Sequence, residues 1–508
     1  MSVLAALPDL LGRLLAEAGL QPAPGTLLAN SIAIGIIVSL HQQLFAFITG
    51  GVTLVLISDG ISLARRDPRH ARLAHGLIKS LAYVFGGGSA IPIIFVVFLL
   101  LGLWGSFFVA LTQITFWIFV IEAALFLASI ALLYTTYANW ERLNRYRGCR
   151  FGLLLLLNLA LLWQMFFIDI VASFMLTPNG GDTSQLRQVL NPTNLPLTVH
   201  RTVGNIADAG GLLALFAAIR CVRLLRARDG AGSGVALRAA PSVGAMHISM
   251  HSESTAGEED EGDDDTLREL RHWDFAGHWG VCFAIGMTLM QPYIGYSYAK
   301  EIQVHAMPAW YDMMFGDLSN VFLLQLTLLG LIFLFGSLYM YRRMRPSRSA
   351  RQMRTSRLAL VVLVLAVLLA AVPARFAWTY ADIPSDMQKP WWDGGLLNPI
   401  GTMIPNKLIA LFAMMFATLW IMTAYLRTRS DGGIRWGVTT RGVQRLVMAM
   451  SACILVIMPV MGVIREHSRR PYLIYGELTI SGQQQVTPPP GIYYEPAVPG
   501  KNVDGPRQ

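Results

Sequence analysis

Long apolar runs, each closed by a short polar or basic stretch, dominate the pattern along this chain. They can be drawn as ten spans, at about 31–57, 81–103, 111–137, 151–175, 203–225, 275–297, 315–341, 358–374, 405–426 and 443–463. Runs such as Ile93 to Leu101 or Leu358 to Ala371 are apolar on every side. About 20 such residues in a helix cross a hydrocarbon core about 30 Å thick, whereas a membrane barrel needs short alternating strands. The pattern predicts an all-α integral membrane protein, a bundle of about 10 (9–10) transmembrane helices.

Outside the spans the pattern changes. Val3 to Leu20 has a Leu-rich helical period broken at Gln21-Pro22-Ala23-Pro24, without a basic start or an Ala-x-Ala site. Residues 1–30 are therefore expected to form an interfacial helix rather than a signal peptide. Spans one to five fill 31–225, and spans six to ten fill 273–463. Between them, 226–272 is rich in Gly, Ser and Ala and then acidic from Glu258 to Asp265. That composition cannot bury a core and predicts a disordered cytoplasmic loop, with His247 and His251 as solvated side chains rather than a metal site. Residues 464–508, with Pro488-Pro489-Pro490, form an extended tail.

Composition agrees with the pattern and changes one inference. The chain has 508 residues, 54% hydrophobic and only 14% charged, which excludes a soluble enzyme. Its net charge of +9 would suggest nucleic acid in a soluble protein. Here 27 Lys and Arg fall in alternate loops that can all lie inside, against 12 in the outside segments. The excess is topology, with both termini outside, and no nucleic-acid partner is expected. In a bacterium with two membranes this places the chain in the cytoplasmic (inner) membrane, with the termini in the periplasm. Four isolated cysteines, Cys149, Cys221, Cys282 and Cys453, supply neither a disulfide framework nor a Cys-x-x-Cys-His for attached haem.

Candidate chemistry lies where ionisable groups enter lipid, because a charge there costs about 2.5–3.5 kcal/mol on the insertion scale. These are His41 and Asp59 on span one, Glu122 on span three, Asp169 on span four, and His200 with Asp208 at the start of span five. Imidazole is the usual ligand that offers nitrogen to haem iron, thioether is a common sixth ligand, and a helical bundle can grip a macrocycle. A lone histidine on a helix is otherwise a packing residue, and the same acids suit a transporter's proton relay. Because His200 follows Pro192 and Pro196 near the outer end of its helix, while His41 is deeper, two separate haem sites are expected rather than one bis-histidine site.

These residues resemble subunit I of the cytochrome bd quinol oxidases. His41, Gly50 and Asp59 reproduce the first-helix register of that family, a ligand histidine followed by glycine nine residues on and an acid eighteen on. Ile121-Glu122 is similar to its third helix, and Asn139-Trp140-Glu141-Arg142-Leu143 to that helix's end. Asn158 to Trp163 and Met175 to Pro178 resemble the fourth helix. Val189-Leu190-Asn191-Pro192 and Val199-His200 are the most specific echoes. The resemblance covers about 31–345 and implies haem b at His200, with Met314 or the adjacent Met313 as sixth ligand. It implies a high-spin haem, haem d or a second haem b, at His41.

Glu122 and Asp59 become candidates for proton handling or secondary ligation. Arg465, Arg469 and Arg470 become candidate partners of haem propionates, since a guanidinium fork matches a carboxylate. The implied activity passes electrons from quinol or another donor to oxygen, in a complex with a second membrane subunit within the lipid. The chain also departs from the family. Ile130 stands where a second third-helix carboxylate is expected, the high-spin haem glutamate falls on Pro459 or near Val372, and Tyr296 to Glu301 is a faint remnant of the quinol loop. A divergent relative follows, with a membrane cytochrome b that does not reduce oxygen as the nearer rival and a proton-coupled transporter as the further one.

Overall fold

The computed structural model describes residues 27–88, 94, 102–103, 105–177, 188–231, 257–306, 309–310, 313, 318–372 and 406–468. The elements in order are α1 (Leu27–Arg65), α2 (Pro68–Tyr83), a π-helical turn (Val84–Gly88), α3 (Gly105–Ile114) and α4 (Phe116–Ala138). After a short turn of helix come α5 (Arg147–Leu176), α6 (Asn194–Ala231), α7 (Gly257–His305), α8 (Ser319–Met344), α9 (Ala350–Ala371), α10 (Asn406–Ser430) and α11 (Arg441–Ser468). Among the described residues, eight of these helices are long and apolar enough to cross a membrane. The protein is an all-helical membrane protein. The sixth expected span lies within α7, and most of the second, 81–103, lies outside the described residues.

Two boundaries differ from expectation for identifiable reasons. Helix α6 starts at Asn194, nine residues ahead of the expected span, and carries His200 on its second turn. Asn191 sets that start: its side-chain carbonyl accepts from Thr193 N at 3.0 Å and its amide donates to Thr177 O at 2.7 Å, tying the end of α5 to the head of α6. Pro196 then falls in the first turn, where its missing N–H has no partner to lose. Helix α7 begins at Gly257, so the acidic run from Glu258 to Asp265, expected to be loop, is helical. Carboxylates in first turns are favoured by the N-terminal end of the helix dipole. Residues 1–26, 232–256 and 469–508, which hold the expected interfacial helix, much of the expected loop and most of the tail, lie outside the described residues.

The helices form two groups that share the α6–α7 pair. One core joins α1, α2, α4 and α5 to α6 and α7, through residues such as Ile48, Leu81, Leu133, Leu157, Ala217 and Phe275. The other joins α6 and α7 to α8, α9, α10 and α11 through Ala214, Ile285, Phe333, Leu363, Met414 and Met450. Small residues let α6 and α7 approach closely: a Cβ on Gly280 would lie 2.5 Å from Gly210 O. Lipid supplies no hydrophobic drive between helices, so such close backbone packing carries much of their association.

Buried ion pairs lock the inner ends. Asp274 accepts from Arg343 Nη2 at 2.8 Å and from Gly437 N at 2.9 Å, which fastens the α10–α11 connection to α7. At the head of α2, the Asp67 side chain caps Arg69 N, and the Arg69 guanidinium holds its carboxyl below the usual carboxylate range.

Candidate functional site

The site is built on α1 and α6. A Cβ on Gly50 would fall on the Asn205 carbonyl and 2.8 Å from Ala209 Cβ, so only glycine allows the two backbones this close. Side chains then stitch the seam: Asn205 Nδ2 donates to Thr49 Oγ1 at 2.9 Å and Arg201 Nη2 to Gln42 Oε1 at 3.0 Å. These bonds join residues 156 and 159 apart in sequence. His41 and His200 have the same separation of 159, so the two imidazoles lie at about the same depth. His41 is thus not the deeper of the two. Length of helix ahead of a residue does not set its depth when two helices begin at different heights.

His200 lies over α7, where a Cβ on Gly295 would be 3.4 Å from His200 Cε1, the Tyr298 ring stacks at 6.1 Å, and Gln291 Nε2 donates to His200 O at 2.9 Å. Gln291, Gly295 and Tyr298 occupy one face at helical spacing. His41 falls on the stripe of Ile34 and Ile48, seven residues to either side. Ile34 packs with Phe107, Ile118 and Ile170 of α3, α4 and α5. Both imidazoles have a buried Nδ1 with no hydrogen-bond partner among the described residues.

Other buried histidines behave differently. His278, on α7, has Nδ1 at 2.7 Å from the Tyr425 hydroxyl. His70 also has an unpartnered Nδ1, but its ring stands edge-on to Phe275 and Trp279 at the inner end, away from the seam.

The acids divide by partner. Asp59 is fully buried and bonded by Arg150 through Nη2 at 2.5 Å and Nε at 3.3 Å, with the guanidinium 4.5 Å above the Trp140 ring. It lies about 27 Å along α1 from His41 and does not join it. Asp169 is paired with Arg201 and accepts from Thr198 Oγ1 at 3.1 Å, and the charge of Arg465 also acts on it. Arg465 Nη2 donates to Ala172 O at 2.9 Å, holding the end of α11 against α5. Glu122 accepts from Gln164 Nε2 at 2.9 Å, and Asp208 from Gln43 Nε2 at 2.5 Å, with no cation bonded to either.

The remaining expected site residues are placed less centrally. Met313 is buried in an outer cluster with Trp310, Leu318 and Ile464, while Met314, Arg469 and Arg470 lie outside the described residues. The quinol-loop remnant continues α7 as helix, with Lys300 Nζ donating to Gln303 Oε1 at 2.9 Å and Glu301 3.5 Å from His305.

Arg201, Arg343, His278 and Lys407 are buried or half-buried polar groups that the apolar-run pattern passes over. Arg201 had a signal, since a cation beside His200 at a span's outer end needs a partner, and Asp169 was available. Lys407 had none: it caps α9 by donating to the carbonyls of Leu369, Ala370 and Val372, at 2.7, 3.1 and 2.5 Å.

Comparison with known proteins adds a family. The model of the cytochrome bd terminal oxidase subunit I family matches residues 31–259, just under half of the chain. Among solved structures, the bd oxidase from Geobacillus thermodenitrificans is similar at 12% identity and a TM-score of 0.42, over 87% of this chain and 98% of that one. No curated protein matches.

Proposed function

We propose that this chain, cytochrome bd subunit I-like over residues 31–259, is the haem-holding subunit of a bd-type oxidase that passes electrons from quinol or another donor to oxygen. The observation that carries the reading is the pair of imidazoles: at about the same depth on α1 and α6, each with a buried ring nitrogen that has no partner among the described residues. An unsatisfied polar atom away from water costs about 1–3 kcal/mol. Either ring nitrogen can ligate a metal, and neutral imidazole is the form that does so. The donor set therefore fits haem iron, which when bound supplies one-electron transfer and a place for oxygen.

His200 would hold the low-spin haem b, oriented by Gln291, Gly295 and Tyr298, with Met314 or Met313 as the sixth ligand. His41 would hold a high-spin haem, haem d or a second haem b, on the α3–α5 side. Glu122, kept beside that side by Gln164, is the nearer candidate for proton handling. Asp59 is bound to Arg150 and is better read as the inner clamp of the α1–α5 contact. Arg465, with Arg469 and Arg470 beyond it, would face haem propionates at the outer surface. A second membrane subunit completes the complex, in the cytoplasmic membrane of a bacterium.

One observation favours a second reading, a membrane cytochrome b that conducts electrons without reducing oxygen. Ile130, where the resemblance leads one to expect a second carboxylate, packs against the apolar core of α1, α2 and α5.

Reduced-minus-oxidised spectra of the purified complex test both readings. Low-spin and high-spin bands are expected, the former lost in His200→Ala and the latter, with its carbon monoxide shift, lost in His41→Ala. Low-spin bands alone, unmoved by carbon monoxide, would establish the conduit. A colourless complex would leave neither reading standing.

A further inference from the structure

The buried carboxylates of the spans fall into two classes, and one member is unaccounted for. Asp59, Asp169 and Asp274 are each bonded to an arginine, which sets a counter-charge beside each. Asp208 is only 2% exposed and receives one neutral hydrogen bond, Gln43 Nε2 to Oδ1, while Oδ2 meets no donor or acceptor among the described residues. An ionised carboxylate with a single amide donor in a low-dielectric bundle is strongly disfavoured, and such a group neutralises instead. The protonated acid suits this setting. Its C=O accepts from Gln43, and its O–H is bonded to neither an arginine nor a backbone carbonyl among the described residues.

Its position gives that proton a use. Asp208 is two turns, about 12 Å, further along α6 than His200. One turn before it, Asn205 begins a polar strip between α1, α5 and α6: Asn205 bonds Thr49, and Asn158 Nδ2 donates to Thr53 Oγ1 at 3.0 Å. Asn205, Thr49 and Thr53, with Thr202, line a narrow crevice among apolar helices. Asp208 follows Asn205 by three residues, on the same side of α6, and an acid beside polar side chains in a lipid-spanning bundle is the kind of group that proton relays use.

We propose that Asp208, held by Gln43, is a neutral carboxylic acid that relays protons through the α1–α6 seam to the redox chemistry of the bundle. This rests on the oxidase reading above. In the step, the Asp208 O–H proton leaves toward the site of oxygen reduction, the carboxylate formed is held by the Gln43 amide, and a proton arriving through the polar seam between α1 and α6 restores the acid.

Infrared spectra of the intact purified complex, wild type minus Asp208→Asn, read the protonation state without reference to turnover. A protonated-acid C=O band, lowered in heavy water, absent from Asp208→Asn and raised in Gln43→Leu, is expected. Only carboxylate bands in the difference would overturn the proposal. Oxygen consumption with an ascorbate-reduced mediator reads the relay: Asp208→Asn is expected to keep its haem spectrum and lose at least about 100-fold in rate, the low end of what proton-transfer groups contribute. Asp208→Glu is expected to recover most of it. Full turnover in Asp208→Asn with a native spectrum would also overturn the relay. A wild-type complex without haem bands would defeat the oxidase reading and with it the relay, whereas the infrared band would still decide the neutral acid.

Discussion

Arg150→Ala is expected to cost the folded protein about 3–5 kcal/mol, the largest loss from any single polar substitution among the inner-end contacts. The reason lies in what it leaves behind. Asp59 is fully buried, and Arg150 Nη2 and Nε are the cationic donors bonded to it. Removing the guanidinium strands a carboxylate without counter-charge and also removes the cation over Trp140, 4.5 Å from its ring. The paired variant Asp59→Leu with Arg150→Leu is expected to recover most of the loss, because apolar groups of similar volume often replace a buried ion pair at little cost. Thermal unfolding of the detergent-solubilised protein measures both. If Arg150→Ala melts with the wild type, the clamp is not structural, and Asp59 returns as a candidate for proton handling.

Gly50→Val is expected to dismantle the site without touching a candidate ligand. The new side chain would be driven into the Asn205 carbonyl, which is backbone and cannot rotate away, so α1 and α6 must separate. Overpacking of this kind costs about 1–3 kcal/mol or more. Separation also breaks the Gln42–Arg201, Thr49–Asn205 and Gln43–Asp208 bonds, which set the two imidazoles level. Haem content and the α1–α6 bonds should therefore fall together. Gly152→Ala on α5 is the control, since its Cβ would meet nothing within 4 Å and helix propensity alone favours it by about 0.5–1 kcal/mol. Equal haem loss in the two variants would show that the close approach does not govern the site.

The legible part of the fold was the part that repeats. A span announces itself through some 20 apolar residues in a row, and nine of the ten expected positions coincide with a described helix. Boundaries were less legible, because they turn on single side chains. Asn191 starts α6 ahead of His200 through a bond from Thr193 and another to Thr177 at the end of the preceding helix, and no local pattern contains that second partner. The acidic head of α7 misled for the opposite reason: composition argued for disorder, whereas charge at a helix start is favourable.

At the site, residue type exposed the candidates, since His41, His200, Asp59, Glu122 and Asp208 stand out against apolar surroundings wherever the helices pack. Partners did not follow from type. Asp59 and Asp208 look alike along the chain, yet one is bound by Arg150, 91 residues on, and the other by Gln43, 165 residues back. Lipid makes membership of a span a local property, because each helix must satisfy its own backbone and present its own apolar surface. Charge state, depth and the direction of each imidazole are instead set by which neighbour lies across the gap. That choice rests on close approaches such as Gly50 against Asn205 and Gly210 against Gly280, and it exists once the helices have assembled.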